Sequence, residues 1–297
     1  MRSNQSSTTA EFMALFRAQE SALPERKRLF NDPFAASFLG PRFRLICGVF
    51  HVPVLRSLLA RFIDTRWPGA RTSGIARTRR IDDWASADVA AGARQALILG
   101  AGFDSRAWRL PAFRDLSIFE VDHPATSAVK RKQIKELGAS ISQVTFVPVD
   151  FDREQLSDAL SNAGFQGNRR TLVVWEGVTN YLTAAAVDAT LRWLGTLAEG
   201  SRLIFTYVDA DVLGGSNRFQ DATGPRLAVT KAGEPWTFGF RPEELPHYLR
   251  ERGLQLVEDL DANQYRRATM GAAGVRAKGY EFYHVALAQI GRRLACT

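Results

Sequence analysis

Short apolar runs alternate with helical segments from about residue 74 to the end of the chain. These runs predict seven strands, at 95–99, 116–121, 144–149, 171–175, 203–208, 254–260 and 280–288. Helices are expected at 124–137, 153–163 and 183–197, the first with Pro124 in its opening turn and Gly138 just after its end. Buried strands that alternate with helices predict a doubly wound α/β fold with a mostly parallel sheet. The last two strands show no clear helix between them, so we expect an antiparallel strand at one edge.

The first 75 residues have a different pattern. Apolar residues recur at helical spacing from 10 to 23, a turn-forming segment follows at 30–34, and 34–62 is apolar without strand alternation. We therefore expect a helical lobe at 1–75 and a ligand-binding domain at 76–297. The lobe is either a cap over a binding site or a structural flank.

A long irregular segment at about 209–250 interrupts the alternation of strands and helices. It contains Gly214-Gly215 and Gly224-Pro225, and it directly follows the strand predicted at 203–208. Long excursions of this kind are more often functional than accidental. Because ligands bind at the carboxyl ends of parallel strands, we expect this segment to form part of a substrate wall.

Composition narrows the class of protein. The chain of 297 residues can bury one large core, and its net charge of +8 comes from scattered arginines rather than from a basic run mixed with aromatics. Nucleic-acid binding is therefore not expected. Cys47 and Cys296 belong to no metal-binding pattern, and no apolar stretch reaches the length of a signal core or membrane span. These features favour a cytoplasmic protein without a membrane segment.

The strand at 95–99 ends in a glycine turn, Gly100-Ala101-Gly102. A turn without side chains lets a ligand approach the backbone closely. The next strand ends at Asp122, where a carboxylate can accept hydrogen bonds from both hydroxyls of a ribose. Polar endings recur at Asp150 and Glu176, each about one βα unit later, so all should meet at one edge of the sheet. The pattern predicts a pocket for a nucleotide-type cofactor.

The residues after the glycine turn distinguish between two cofactor classes. A dinucleotide site prefers a third glycine, which lets the helix sit close to the sheet below a pyrophosphate. This chain has Ser105 at that position, and Asp104 adds a negative charge where phosphates would approach. S-adenosylmethionine has no phosphate and carries a positive sulfonium. A nicotinamide dehydrogenase is therefore disfavoured, and a methyltransferase is favoured.

Several motifs together carry a family resemblance. They are FNDPF (30–34), ARTRRIDD (76–83), LGAGFDSRAWRL (99–110), FEVDHP (119–124), Lys130-Arg131, VDF (149–151) and EGVTNYL (176–182). With them the chain resembles the leucine carboxyl methyltransferase family, which belongs to the class I S-adenosylmethionine-dependent methyltransferases. The resemblance implies a Rossmann-like, seven-stranded sheet. It covers nearly the whole chain and is weakest at 209–275, where substrate selection is expected.

The resemblance also implies which residues hold the cofactor: Arg77, Gly100, Gly102, Asp122, Asp150, Phe151 and Glu176. The glycine turn would lie under the methionine part, and Asp122 would hold the ribose. Asp150 would accept from the adenine amine, with the backbone of Phe151 beside the ring. Glu176 would face the cofactor from the next strand end, and Arg77 would pair with the cofactor carboxylate.

Each role has a structural alternative. Arg77 would otherwise be a solvated helix arginine, Asp150 a helix cap and Glu176 a salt-bridge partner. Asp104 would cap the short helix that follows it. Arg106 either guides an anionic substrate or forms a structural ion pair.

The sequence identifies no catalytic residue. Tyr181, Arg106 and His247 are candidates on the substrate side, and Asp209 with Asp211 is too small a set to predict a metal site. Methyl transfer is an in-line displacement, and the correct positioning of the two reactants supplies much of the rate enhancement. A carboxylate acceptor is ionised at neutral pH and needs no general base, whereas a phenol or alcohol needs deprotonation.

The working hypothesis is therefore an O-methyltransferase that acts on a small-molecule carboxylic acid with S-adenosylmethionine. A phenol, an alcohol or a protein C-terminal carboxylate is the alternative acceptor. A non-catalytic module that binds the cofactor for interaction is the alternative from another class. The sequence does not predict an oligomeric state.

Overall fold

A computed structural model of the chain describes residues 8–149, 154–214 and 217–291. Asp150 and Phe151, for which cofactor contacts were expected, lie outside these residues. The described part of the chain contains no helix that is long and apolar enough to cross a membrane.

Seven strands form one sheet. They are β1 (Gln95–Leu99), β2 (Ser117–Asp122), β3 (Val144–Pro148), β4 (Thr171–Trp175), β5 (Arg202–Val208), β6 (Leu254–Leu260) and β7 (Tyr283–Ile290). Their order is β3-β2-β1-β4-β5-β7-β6. The first five strands pair in parallel, and β7 pairs antiparallel with both β5 and β6. The doubly wound, mostly parallel sheet with antiparallel pairing at one edge is confirmed.

Twelve α-helices surround the sheet or precede it in the described chain. They are α1 (Thr8–Ser21), α2 (Pro41–Val49), α3 (Pro53–Arg66), α4 (Ala70–Ala90), α5 (Arg106–Arg109), α6 (Pro124–Glu136), α7 (Leu156–Asn162), α8 (Ala184–Leu194), α9 (Thr223–Lys231), α10 (Leu245–Arg250), α11 (Ala262–Met270) and α12 (Ala272–Arg276). Local signals set several ends: α6 begins at a proline, and Thr183 caps α8 by accepting a hydrogen bond from Ala186 N at 3.2 Å.

The expectation that no helix lies between the last two strands is wrong, because α11 and α12 occupy that connection. The reason is that α11 is mostly polar, so it shows no apolar run. It buries a narrow stripe of Ala262, Tyr265 and Arg266, of which the last is charged. Its start did carry a signal: Asp261 and Gln264 form a reciprocal capping box.

The core lies on both faces of the sheet, because successive residues of each strand point in opposite directions. Leu97 and Val173 belong to the cluster on the face covered by α8. Ile98 and Val174 belong to the opposite cluster, which α4 and α11 cover. Burial of each such side chain stabilises the fold by roughly 1.5–3 kcal/mol. Because helices cover both faces of the sheet, a ligand can reach it at the carboxyl ends of the strands.

Four helices come before the sheet, as the apolar pattern of the N-terminal segment predicts. α4 runs continuously from Ala70 to Ala90 and packs against the sheet, and α1 packs against α4. The boundary between residues 75 and 76 therefore falls within α4, and the division of the chain into two domains stays a prediction. The segment predicted as a substrate wall contains α9 and α10.

Candidate active site

The glycine turn after β1 has the geometry that the sequence predicts. Gly100 and Gly102 have φ values of +62° and +43°, in the left-handed region that favours glycine. A Cβ atom at Gly100 would overlap the side chain of Val178. The turn is fixed to the neighbouring strand, since Ala101 N donates to the carbonyl of Val121 at 3.0 Å. Bare backbone therefore faces the edge of the sheet.

Asp122 lies at the end of β2 beside this turn. Its carboxylate accepts hydrogen bonds from the backbone N–H of Gly102 and from that of His123, the latter at 2.6 Å. Burial raises the pKa of Asp122, and these two hydrogen bonds oppose the rise. The carboxylate and the glycine turn line the same cavity.

Glu176 lies between two arginines just after β4. Its Oε1 accepts from Nε of Arg77 at 2.9 Å, and its Oε2 is 2.8 Å from a guanidinium nitrogen of Arg106. Burial alone would raise the pKa of Glu176, but Arg106 and Arg77 outweigh it and hold that pKa below its ordinary value. Arg77 also lies over the ring of Tyr283, with 4.6 Å to the ring centroid. Glu176 is therefore ionised and held in position.

These ion pairs belong to a larger buried network. Asp82 pairs with Arg106 at 2.8 Å and with Arg109 at 2.5 Å. Asp32 pairs with Arg17 at 2.8 Å. The network contains as many arginines as carboxylates, namely Arg17, Arg77, Arg106, Arg109, Asp32, Asp82, Asp104 and Glu176. Buried charges are tolerated only when they are paired in this way.

Sequence reasoning assigned no role to four members of this network: Arg17, Asp32, Asp82 and Arg109. Asp32 lies in the 30–34 motif, Asp82 in the 76–83 motif and Arg109 in the 99–110 motif. Because these three residues lie within motifs that carry the family resemblance, the sequence itself indicated that they have a role. The pairing itself could not be predicted, because partners such as Arg109 and Asp82 are far apart in sequence and meet only in the fold.

Asp104 accepts a hydrogen bond at the start of α5 and also pairs with an arginine. Its Oδ1 accepts from the backbone N–H of Arg106 at 2.7 Å, and its Oδ2 pairs with the Arg106 guanidinium. Burial would raise the pKa of Asp104, but the arginine outweighs this effect and lowers it to about 2. The negative charge that disfavoured a phosphate ligand is therefore largely neutralised by Arg106.

A second buried pair lies below the end of β2. Nζ of Lys130 is 2.7 Å from Oε2 of Glu120, and both side chains are almost fully buried. Burial raises the pKa of Glu120 to about 7, although Lys130 opposes the rise. Glu120 is two residues before Asp122 on β2, so both side chains point to the same face.

A cavity of about 1040 Å³ lies above these residues. Pockets for drug-sized ligands typically have roughly 300–1,000 Å³, so this cavity can hold a cofactor together with an acceptor. Its walls include five of the predicted cofactor residues, namely Arg77, Gly100, Gly102, Asp122 and Glu176. Residues of α1 and α9 and residues 233–237 also line the cavity.

The three substrate-side candidates lie in different places. Tyr181 lines the cavity, and burial raises its pKa to about 12, so the phenol is protonated. Arg106 also lines the cavity, but Asp82, Asp104 and Glu176 all pair with it. His247 lies on α10 with its side chain 71% exposed and 3.2 Å from Glu251, and it does not line the cavity.

No group of three or more His, Cys, Asp or Glu residues that could hold a metal ion occurs within 8–149, 154–214 and 217–291. The two acids considered in the sequence have other contacts. Asp209 accepts a hydrogen bond from Asp211 N at 2.9 Å, and Arg218 lies within 3.5 Å of both carboxylates.

The chain is similar in sequence to known methyltransferases. The family model described as leucine carboxyl methyltransferase matches residues 10–195. A "Putative S-adenosyl-L-methionine-dependent methyltransferase" of Frankia alni is 37% identical over 67% of this chain and 68% of its own length. A protein of the same description from Bacillus subtilis is 34% identical over 57% of this chain and 56% of its own length.

Solved structures agree in fold. A "putative methyltransferase" from Thermobifida fusca has a TM-score of 0.60 at 16% identity, covering 93% of this chain and 94% of that one. A DUF574 family protein from Streptomyces avermitilis has a TM-score of 0.56 at 17% identity, covering 92% and 96%. At these identities the likeness shows the fold alone. The family match and the relatives go further: the chain belongs to the leucine carboxyl methyltransferase family and is an S-adenosylmethionine-dependent methyltransferase.

Proposed function

We propose that this enzyme methylates a carboxylate oxygen of a small-molecule acid. One observation carries the proposal: the acidic side chains that line the described cavity already have partners. Asp104 and Glu176 pair with arginines, Asp122 accepts from backbone N–H groups, and Glu234 accepts from the hydroxyl of Thr9 at 2.7 Å. Asp104, Asp122 and Glu176 are therefore held by arginines or backbone N–H groups. The described contacts of Glu234 are to Thr9, so we assign no general base to these carboxylates.

A histidine base is also not apparent at the acceptor side. Of the chain's four histidines, His123 lines the cavity, and its Nδ1 accepts from Ala125 N at 3.3 Å. It caps α6 beside Asp122, on the side of the proposed ribose contact. A carboxylate acceptor requires no proton removal, whereas an alcohol does. The described residues thus support an acceptor that arrives ionised.

The chemistry is divided between the cofactor and the chain. S-adenosylmethionine supplies an electrophilic methyl group on a positive sulfonium when it is bound. The chain's task is to hold the two reactants in line, which in favourable cases lowers a barrier by several kcal/mol. We assign the ribose hydroxyls to Asp122 and the adenine amine to Asp150. We assign the amino-acid carboxylate to Arg77, which lines the cavity and whose Nε is held by Glu176.

Neutral hydrogen-bond donors orient the acceptor in this proposal. The hydroxyl of Tyr181 lies 3.5 Å from that of Thr9, and the indole nitrogen of Trp236 is buried nearby. A phenol whose pKa is raised to about 12 is a donor at neutral pH and not a base. Trp236 comes from the 209–250 segment, which supports the role of that segment as a substrate wall.

Matched acceptors test the proposal. Purified enzyme is incubated with methyl-labelled S-adenosylmethionine and either a carboxylic acid or the primary alcohol of the same carbon skeleton. We expect label transfer to the acid and none above background to the alcohol. Equal transfer to the alcohol would contradict the proposal, because a base would then have to act in this cavity.

A further inference from the structure

One end of the cavity is an apolar arm, defined by Phe12, Phe43, Ile46, Leu59, Phe62 and Trp67. The rings of Phe12 and Phe43 are 5.4 Å apart, and those of Phe12 and Trp67 are 6.1 Å apart. All six side chains are hydrocarbon apart from one indole nitrogen. The arm therefore offers almost no hydrogen-bond partners and suits a ligand part that needs none.

The arm begins next to the ion pairs of the site. Sδ of Met13 is 3.5 Å from a guanidinium nitrogen of Arg77, and the residue before it on α1 is Phe12. On α1, the residue that contacts Arg77 therefore directly follows a residue of the apolar arm. A ligand that reaches from one to the other must be polar at one end and apolar at the other.

The arm also reaches the surface of the protein. Phe62 lines the cavity and is nevertheless 60% exposed. Phe62 continues an exposed apolar face of α3, because Leu58 and Val54 lie four and eight residues before it and are 59% and 68% exposed. An apolar chain that enters at Phe62 therefore remains against the apolar surface of α3.

From these observations we infer that the methyl acceptor is a carboxylic acid with a long alkyl tail, and that the tail lies in the apolar arm. This inference rests on the proposed function and adds the substrate class. The carboxylate lies at the polar end near Tyr181, and the tail extends between α1, α2 and α3. Burial of each methylene favours binding by about 0.8 kcal/mol, which corresponds to about a fourfold gain in affinity.

The test compares butanoate, octanoate and dodecanoate as acceptors, with methyl-ester formation and calorimetric binding as separate readouts. We expect kcat/KM to rise from butanoate to octanoate by at least about tenfold. Phe62→Asp places a charge in the opening and should reduce kcat/KM for dodecanoate by about tenfold while leaving butanoate unchanged. Leu45→Asp is the matched control, because Leu45 is exposed on α2 but does not line the cavity.

The outcomes separate the two proposals. Methylation that does not depend on tail length, or equal effects of both variants, would overturn the inference and leave carboxylate methylation intact. Binding that depends on tail length and on Phe62, but without ester formation, would overturn the proposed function and retain the tail site. Absence of both binding and methylation across the series would overturn the inference as well.

Discussion

A guanidinium nitrogen of Arg106 lies 2.8 Å from Oε2 of Glu176, while the other oxygen of the same carboxylate holds Arg77 at 2.9 Å. One side chain at the end of β4 thus joins the start of α5 to the middle of α4. The protein's own side chains therefore fix these three elements to one another. Such preorganisation is what an in-line transfer requires of its protein.

The ribose contact is tested by Asp122→Ala. A hydrogen bond to a charged group contributes about 1.5–3 kcal/mol, so we expect the affinity for S-adenosylhomocysteine to fall by roughly 10- to 100-fold. Calorimetric titration measures it. Asp115→Ala removes an exposed carboxylate near the start of β2 and should leave the affinity unchanged. Equal affinities of the Asp122→Ala variant and the unmodified enzyme would exclude Asp122 from the cofactor site.

The role of Arg77 is tested by comparing two ligands. Arg77→Met should weaken S-adenosylhomocysteine by tenfold or more, because the amino-acid carboxylate loses its cation. Methylthioadenosine lacks that carboxylate, so its affinity should change little. A purely structural Arg77, acting only through Glu176 and Tyr283, predicts instead that both ligands weaken in parallel.

The pKa of Asp104 predicts how stability depends on pH. The folded-state pKa of about 2 lies below the ordinary value of 3.8, so the stabilisation is present above about pH 4 and is lost as the pH falls towards 2. Asp104→Asn should lower the free energy of unfolding by about 1–3 kcal/mol at pH 7, and by less at pH 3. Urea titrations at the two pH values measure this difference.

The control for Asp104 is an exposed ion pair on α4. Asp83 lies 2.8 Å from Arg79, and both side chains are more than two-fifths exposed, at 42% and 43%. Asp83→Asn should change the free energy of unfolding by less than about 1 kcal/mol at either pH. A difference between Asp104→Asn and the unmodified protein that does not vary with pH would contradict the assignment.

The close approach at the glycine turn is tested by Gly100→Ala. The change costs about 1–2 kcal/mol for the left-handed conformation, and overlap with Val178 adds about 1–3 kcal/mol. Gly138 has φ +70° with open space around it, so Gly138→Ala should show the conformational cost alone. Val178→Ala combined with Gly100→Ala should recover the overlap part. If the two single glycine variants lose equal stability, Val178 does not limit the turn.

Local patterns were sufficient to predict most of the fold. The bounds of β1, β4 and β6 agree with the prediction at both ends. β1 and β4 are mostly apolar runs, whereas β6 mixes apolar and polar residues between Gly253 and Asp261. α11 was missed because a polar helix that buries only a narrow stripe gives no apolar signal. Its capping pair, Asp261 and Gln264, shows that the information was present at the helix end rather than along its length.

The sequence predicted those site residues that directly follow or end a parallel strand. Gly100, Gly102, Asp122 and Glu176 meet at one edge because parallel strands end there. The partners of Arg106 were not predictable, since Asp82 and Glu176 approach it from other elements. The apolar arm was likewise hidden, because an apolar side chain on α2 or α3 looks the same in sequence whether it lines a cavity or a core.

The central claim, methyl transfer to a carboxylate, is tested most directly by the chemistry of the product. Enzyme, methyl-labelled S-adenosylmethionine and dodecanoate are incubated together, and the isolated product is treated with mild alkali. A methyl ester releases its label as volatile methanol under these conditions, and the account predicts that nearly all of the label is released. Dodecanoate has no heteroatom outside its carboxylate, so label that stays with the product after alkali would mean methylation at carbon, and it would contradict carboxylate methylation.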